Sequence, residues 1–135
     1  MKIEVQLDDT IHTEEVLEIY KANGWSSAEK PVALMAALQN SHTLATARFE
    51  GRLVGIGNAI SDGHLVVCYP HMLVHPDFQR QGIGRALMST MKKRFHGFHQ
   101  QILLADGDAV AFYESMGFSR AGRTVPMWIY KGNDH

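Results

Sequence analysis

The sequence predicts a mixed α/β fold of the α+β type, a mostly antiparallel sheet with helices on both faces. Segments with strand and helix patterns follow each other in the order β-α-α-β-β-β-α-β-α-β, and 135 residues is a length typical of one domain. A long connection that contains a helix separates the predicted strands 64–74 and 101–105. Such a connection predicts one parallel crossover in an otherwise largely antiparallel sheet.

The N-terminal part of the chain is predicted to hold one strand and two helices. Residues 2–7 alternate polar and apolar side chains, which is the strand pattern. Residues 13–23 place apolar side chains on one helical face, with acidic residues at the positive N-terminal end. Pro31 suits the first position of a second helix, which we expect to run to about Gln39.

The middle of the chain is predicted to form three strands. Residues 42–49 and 52–60 flank Glu50-Gly51, which predicts a hairpin turn. The third strand, residues 64–74, is long and mostly apolar, as expected of a strand covered on both faces. Pro70 cannot donate to a strand ladder, so we expect a bulge or a break in pairing there.

The C-terminal half is predicted to add two helices and two strands. An amphipathic helix opens near Gly82, and a short strand follows at residues 101–105. Asp108 is predicted to N-cap a helix that runs through Met116. The apolar residues 126–130 predict a final strand.

Composition and charge exclude several classes of function. Lys and Arg number 13 against 14 Asp and Glu, which argues against a strongly basic nucleic-acid-binding surface. Cys68 is the only cysteine, so neither an intramolecular disulfide nor a cysteine-based zinc site can form, and its apolar neighbours predict a small buried strand residue. The chain has no signal-peptide pattern and no stretch of about 20 apolar residues that spans a bilayer. We therefore expect a cytoplasmic protein with no membrane or nucleic-acid partner.

A glycine-rich turn between the strand that ends at Val74 and the helix that opens near Gly82 is the most informative segment. Backbone N–H groups at a helix N-terminus lack intrahelical partners, so they can cradle phosphate, and Arg80 and Arg85 can neutralise its charge. A Walker loop is absent, and a dinucleotide fingerprint would need a third glycine. The pattern that remains is Gln/Arg-x-x-Gly-x-Gly/Ala, present as Gln79-Arg80-Gln81-Gly82-Ile83-Gly84.

This loop resembles the acetyl-coenzyme A pyrophosphate loop of the GCN5-related N-acetyltransferase (GNAT) superfamily. Residues 106–118 are similar to a later motif of that family, which has Asn-x-x-Ala, an aromatic Tyr-Glu pair and Gly-Phe, although Asp106 stands where an Asn is commoner. The resemblance covers about residues 42–130. It implies the GNAT fold with a splayed central strand pair, and residues 1–135 as a single N-acetyltransferase domain.

A narrower resemblance concerns the acceptor. Short segments that include Gly24-Trp25 and Met127-Trp128 are similar to a set of short bacterial GNAT proteins and to the core of plant plastid arylalkylamine N-acetyltransferases. This resemblance favours a small-molecule amine as the acceptor. In those plant proteins an acidic residue tends to stand where this chain has His71.

The family resemblance implies transfer of acetyl from acetyl-CoA, as co-substrate, to a primary amine by direct attack in a ternary complex. No metal is expected, since Pro76 argues against a helical metal-binding pair of His71 and His75. The residues that the resemblance assigns to acetyl-CoA lie on the strand end, the loop and the later motif. They are Met72, Leu73, Val74, Gln79, Arg80, Gln81, Gly82, Ile83, Gly84, Arg85, Asp106, Phe112 and Tyr113.

Two catalytic roles follow from the same resemblance, and a third follows from the position of His71 on the predicted strand 64–74. In the family, backbone amides of the strand before the loop polarise the thioester carbonyl, so the N–H of Leu73 or Val74 is the predicted oxyanion donor. Tyr113 matches the tyrosine that protonates the departing thiolate in many members, and the ordinary tyrosine pKa of about 10 is close to that of a thiol. His71 is the candidate base for the amine, with Tyr69 and His64 as alternatives on or near the same strand.

Trp25, Tyr69 and Trp128 are the predicted substrate contacts. Trp25 lies in the loop between the two N-terminal helices, where acceptor specificity usually arises in this family, and an aromatic residue there can equally seal the edge of the core. Two other functions stay open, a non-catalytic module that binds acyl-CoA and regulates a partner, and an acetyltransferase acting on protein lysines. Dimers are common in the family, so a homodimer is a further expectation.

Overall fold

The computed structural model describes residues 2–134, which form a six-stranded sheet and four α-helices. The strands are β1 (Glu4–Leu7), β2 (Thr43–Phe49), β3 (Arg52–Ser61), β4 (Val66–Cys68), β5 (Met72–Val74) and β6 (Gln100–Ile102). The helices are α1 (Thr13–Ala22), α2 (Pro31–Gln39), α3 (Ile83–Arg94) and α4 (Val110–Ser115).

The strand order in the sheet is β1-β2-β3-β4-β6, and β5 pairs with β3. Every pair is antiparallel except β4 with β6, which is parallel. The connection from β5 to β6 holds α3, which confirms the predicted parallel crossover. Glu50 and Gly51, at φ 50° and 81°, make the predicted turn between β2 and β3, since tight hairpins need positive φ at both central residues.

Pro70 divides the predicted strand 64–74 into two short strands. Both β4 and β5 pair with β3, at Ile60↔Cys68 and Gly55↔Val74, and neither includes residues 69–71. Only β4 continues the sheet to β6, so within residues 2–134 the outer edge of β5 has no strand partner. Pro70 has no backbone N–H to donate, so the strand pairing breaks between β4 and β5, as expected.

Helices cover both faces of the sheet and bury two apolar clusters. On one face, α1 and α2 contribute Ile19 and Leu38 to the first cluster. On the other face, α3 contributes Leu87 and Met91 to the second. Gly57 of β3 permits a close approach of α3, because a Cβ at Gly57 would lie 2.8 Å from Met91 Cε. Because helices cover both faces of the sheet, a ligand can approach β5 at its open edge.

Two predicted boundaries near α4 are wrong. The predicted strand 101–105 ends at Ile102. Asp108 does not N-cap the α-helix, because it lies inside a 3₁₀ turn, Gly107–Ala109, and α4 begins only at Val110. A backbone hydrogen bond of 2.8 Å from Ala109 N–H to the Asp106 carbonyl oxygen closes this turn, so the chain tightens before it enters the helix.

The predicted final strand 126–130 is also wrong. In the part of the chain that the structure describes, residues 119–134 form no strand. Met127 and Ile129 are 90% and 92% exposed, so their apolar side chains are not driven into a sheet by burial. Instead the rings of Trp128 and Tyr130 stack with centroids 4.5 Å apart.

Candidate functional site

The glycine-rich loop directly follows β5 and leads into α3. Gly82 adopts a left-handed conformation with φ 85° as the N-cap of α3, and only glycine takes that conformation without strain. The first-turn N–H groups of this 12-residue helix therefore lie beside the loop, where they can bind an anion. The ring of Phe112 packs over the same turn, since a Cβ on Gly84 would lie 3.6 Å from Phe112 Cζ. The two predicted motifs are thus in contact.

The register of β5 decides which amides face its open edge. His75 N–H donates to the Val54 carbonyl at 2.8 Å, and Asn58 N–H donates to the His71 carbonyl at 3.1 Å. Because N–H groups alternate in direction along a strand, Leu73 lies between these two and directs its N–H to β3. The predicted oxyanion role of Leu73 is therefore wrong, and the amides that face outwards belong to Met72 and Val74.

Several side chains assigned to acetyl-CoA are engaged within the protein. Gln79 Nε2 donates to the Val74 carbonyl at 3.0 Å and to Asn23 Oδ1 at 3.2 Å. Ile83 is buried in the cluster under α3. Arg85 donates to Ser115 Oγ at 2.8 Å, which links α3 to α4. In this arrangement the loop offers a ligand mainly its backbone amides.

Three aromatic side chains meet beside the loop that follows α1. His71 Nδ1 lies 2.7 Å from the Tyr20 hydroxyl oxygen. The rings of His71 and Trp25 pack edge to face with centroids 5.1 Å apart. Burial lowers the pKa of His71, and the negative charge of Asp134 opposes part of that change. The predicted base and a predicted substrate contact, far apart in the sequence, are therefore neighbours.

Tyr113 lies on α4 with its ring half-buried. Its ring packs against Phe112 and Phe118, with centroids 5.0 Å and 6.0 Å away. Burial raises the pKa of the Tyr113 phenol, because the charged phenolate would lose hydration. The phenol therefore keeps its proton at neutral pH, which is the state that a general acid requires.

Tyr69 does not join the aromatic group around His71. It is 4% exposed and packs with Phe95 in the cluster under α3, with ring centroids 6.1 Å apart. Its hydroxyl donates to Gln101 Oε1 at 2.6 Å. Tyr69 is thus a core residue rather than the predicted substrate contact. Cys68 is half-buried, and burial raises the pKa of its thiol, which disfavours the nucleophilic thiolate.

The C-terminal tail lies against the loop that follows α1. Tyr130 Oη lies 3.2 Å from Ser26 Oγ, and Ser26 Oγ donates to Asp134 Oδ1 at 2.5 Å. Trp128 reaches this region by stacking on Tyr130. The hydrogen bond from Ser26, followed by that from Tyr130, lowers the pKa of Asp134 to about 2, so this carboxylate stays charged.

A cavity of about 350 Å³ opens between the tail and the loop. Its lining residues are Lys21, Gly24, Trp25, Ser26, Ala28, Glu29 and Asn133. The volume falls within the usual range for small-molecule sites. Trp25 therefore borders both this cavity and His71.

Sequence reasoning missed three residues that shape this site. Tyr20 was predicted only as part of an apolar stripe, but a buried phenol needs a hydrogen-bond partner, and that need could have indicated a polar neighbour. Asn58, buried in β3, accepts the His71 backbone N–H on Oδ1 at 2.9 Å. Asn23 connects α1 to β5 and Gln79. The amide side chain of Asn58 stands inside an apolar strand, and this contrast is a signal in the sequence. Asn23 is only the last residue of the predicted helix 13–23 and carries no such signal.

Residues 2–134 hold neither a cluster of metal-binding side chains nor a helix that could cross a membrane. They contain no group of three or more His, Cys, Asp or Glu side chains arranged to hold a metal ion. None of the helices in this range has the length and apolar character needed to cross a membrane.

Comparison with known sequences assigns residues 40–120, more than half of the chain, to the family described as Acetyltransferase (GNAT) domain. An uncharacterized N-acetyltransferase, ycf52, of Gracilaria tenuistipitata var. liui is 26% identical over 87% of this chain and 68% of its own length. The histone acetyltransferase TAP1 of Glycine max is 34% identical over 70% of this chain and 46% of its own length. The chain thus spans about two thirds of the first relative and less than half of the second.

Solved structures show the same fold. A GNAT family acetyltransferase from Streptococcus pneumoniae TIGR4 is 30% identical, with a TM-score of 0.83 over 96% of this chain and 99% of that chain. An aminoglycoside N-acetyltransferase solved in complex with CoA has a TM-score of 0.72 over 96% of this chain and 95% of its own. Because its identity is 13%, this second likeness concerns the fold alone.

Proposed function

The chain belongs to the GNAT acetyltransferase family and is an acyltransferase, and from that membership we propose that it transfers acetyl from acetyl-CoA to a primary amine. One observation carries the proposal: the open edge of β5 runs directly into the Gly82 loop and the N-terminus of α3. An open strand edge can pair with the amide groups of pantetheine. The helix N-terminus can hold the pyrophosphate that follows pantetheine in acetyl-CoA.

In the proposed complex, the pyrophosphate lies on the backbone amides of the loop and the first turn of α3. The loop side chains Arg80 and Gln81 are exposed, and the charge of Arg80 complements a phosphate. Pantetheine runs along β5 and meets the outward amides of Met72 and Val74. This path brings the thioester to the end of β5 that lies near His71, the residue just before the strand.

The reaction we propose is direct attack of the neutral amine on the thioester carbonyl carbon. The C–N bond forms first, and the negative charge that develops on the carbonyl oxygen is stabilised by the outward N–H of Met72, the amide at the end of β5 next to His71. The C–S bond then breaks, the electron pair leaves with sulfur, and the nitrogen releases its surplus proton to water as the amide forms. Tyr113 donates its phenolic proton to the departing thiolate, and the burial that keeps Tyr113 protonated supports this role.

His71 is the proposed base that takes the proton from the ammonium form of the substrate. Burial keeps its ring neutral, which is the form that accepts a proton. In the tautomer with hydrogen on Nδ1, the ring donates to the Tyr20 hydroxyl oxygen and leaves Nε2 available as the acceptor. The proton can reach Nε2 directly or through a water molecule.

A small-molecule acceptor is favoured by the size of the cavity beside Trp25. The tail covers the loop after α1 through hydrogen bonds to Ser26, and the cavity between them is of small-molecule size. The charged carboxylates of Asp134 and Glu29 lie on this side and suit a cationic amine.

The proposed function is tested by measuring CoA release with a panel of amines. The panel should contain arylalkylamines, polyamines, amino sugars and a lysine-containing histone peptide, each with saturating acetyl-CoA. Turnover of a small amine well above the peptide is the expected result. Turnover of the peptide alone would identify a protein acetyltransferase, and acetyl-CoA binding without turnover on any amine would favour the non-catalytic module.

The pH profile of kcat is expected to show an acid limb that depends on His71. Because burial lowers the pKa of His71 from 6.5, kcat with the best amine should rise with pH through a value below 6.5 and then level off. His71→Gln keeps a polar side chain but cannot take a proton, so its kcat should be low and lack this limb. An unchanged acid limb in the folded Gln variant would exclude His71 as the base.

Trp25→Ala is expected to raise KM for the amine up to about tenfold, the scale of one aromatic contact, while KM for acetyl-CoA changes little. Trp25 borders the cavity and His71, whereas the phosphate loop lies on α3. Steady-state kinetics with each substrate varied in turn would measure both constants. Trp25→Phe keeps an aromatic ring and should retain most of the affinity. If Trp25→Ala unfolds or changes both KM values equally, Trp25 acts only in packing.

A further inference from the structure

Asn23 makes three side-chain hydrogen bonds that join the acceptor side to the loop. As the C-cap of α1, it donates from Nδ2 to the Ile19 carbonyl at 2.9 Å. Nδ2 also donates to the Val74 carbonyl at 3.1 Å, and Oδ1 accepts from Gln79 Nε2 at 3.2 Å. Gln79 Nε2 donates to the same Val74 carbonyl at 3.0 Å. We call the set of Asn23, Gln79 and the Val74 carbonyl the Asn23 junction.

The junction lies between the two substrate regions of the proposed function. On one side, Gln79 is the first residue of the loop proposed to hold the pyrophosphate, and Val74 ends the strand β5 along which pantetheine is proposed to lie. On the other side, Trp25 follows Asn23 by two residues, and its N–H donates to the Tyr20 carbonyl at 3.0 Å. A shift of the β5 end or of Gln79 therefore has a direct hydrogen-bonded route to the Trp25 loop.

The C-terminal end of α2 shows that an asparagine can cap a helix without forming such a junction. Asn40 is the C-cap of α2 and donates from Nδ2 to the Ala36 carbonyl at 2.7 Å, the same i−4 bond that Asn23 makes. Only Asn23 adds bonds to β5 and to the loop. Asn40 is therefore a matched control for the capping role.

We propose that Asn23 is a positioning residue through which CoA binding orders the Trp25 loop and so prepares the acceptor site. The inference rests on the proposed function, because it places CoA along β5 and on the Gln79 loop. CoA bound there holds the β5 end and Gln79 in one arrangement. The amide of Asn23, bonded to both, then holds the end of α1 and the loop that begins at Gly24.

Trp25 fluorescence tests this coupling without knowledge of the amine. Trp25 and Trp128 are the two tryptophans of the chain, so a Trp128→Phe background leaves Trp25 as the single reporter. In this background, saturating CoA is expected to reduce acrylamide quenching of Trp25 about twofold, because ordering limits access to the ring. Calorimetry measures CoA binding in the same samples.

The variants separate coupling from binding and from capping. Asn23→Ala should still bind CoA, but CoA should no longer change the quenching of Trp25. Asn40→Ala should keep the full response of the background, because it loses only a helix cap. In each protein, urea unfolding shows whether the loss of a cap has altered stability.

Each other outcome contradicts a specific part of the argument. A full quenching response in Asn23→Ala would overturn the junction, as would CoA binding to the background protein with no response of Trp25. Loss of CoA binding in Asn23→Ala would also overturn it, because Asn23 would then belong to the binding site. Absence of CoA binding in the background itself would instead overturn the proposed function.

Discussion

The Gly82→Asp protein is expected to bind acetyl-CoA on the order of 10²-fold more weakly than the unchanged protein. Gly82 caps α3 with φ 85°, and among the described residues other than its two chain neighbours nothing lies within 4 Å of the place where its Cβ would stand. A carboxylate at this place would project into the space proposed for the pyrophosphate. Two unit charges about 5 Å apart repel by about 3 kcal/mol at an effective dielectric constant of about 20, which corresponds to about 10²-fold in Kd.

Comparison with Gly82→Asn separates the effect of the added charge on the Kd from the effect of backbone strain. Asparagine has nearly the same shape as aspartate, and both tolerate positive φ better than most residues, so the two variants carry similar strain. Calorimetry would give both Kd values, and the rise of Tm with acetyl-CoA would give an independent measure of binding. If the folded Asp variant binds within about threefold of the Asn variant, the pyrophosphate does not lie at this helix N-terminus.

The parts of the fold that depend on local spacing could be predicted from the sequence. Pro31 begins α2 and Gln39 ends it, because a first-position proline and the apolar spacing are local signals. The break at Pro70 was predictable for the same reason, since the missing N–H is a property of that residue. The loop at Gly82 could be located because its glycine marks a positive φ immediately before a helix.

The parts that depend on a neighbouring element could not be predicted. To know that Leu73 directs its N–H to β3 and cannot be the oxyanion donor requires the register of β5 against β3, which a single strand does not contain. Tyr69 and His71 are two residues apart, yet Pro70 and the broken ladder lie between them and they enter different packing environments. The apolar run 126–130 has the composition of a strand, but a strand also has to pair with another strand.

Tyr113→Phe is expected to lower the rate of acetyl transfer about 10²-fold while the Kd for acetyl-CoA stays within about twofold, the low end of what general acids contribute. The ring packs against Phe112 and Phe118, and phenylalanine preserves these contacts, so the fold should persist. Only the phenolic proton is lost. Burial raises the pKa of Tyr113, so the unchanged enzyme should keep this proton across the neutral range.

The measurement must isolate the chemical step, because the proton matters only when cleavage of the C–S bond limits the rate. Single-turnover kinetics with saturating acetyl-CoA and the best amine of the panel meet this condition. Tyr69→Phe is the matched control, since it removes a phenol from the core, where Oη is bonded to Gln101, and should leave the single-turnover rate unchanged. A Tyr113→Phe rate equal to that of the unchanged protein, with chemistry limiting, would mean that water protonates the thiolate. Catalysis would then depend on the outward amide of Met72 and on the placement of acetyl-CoA along β5.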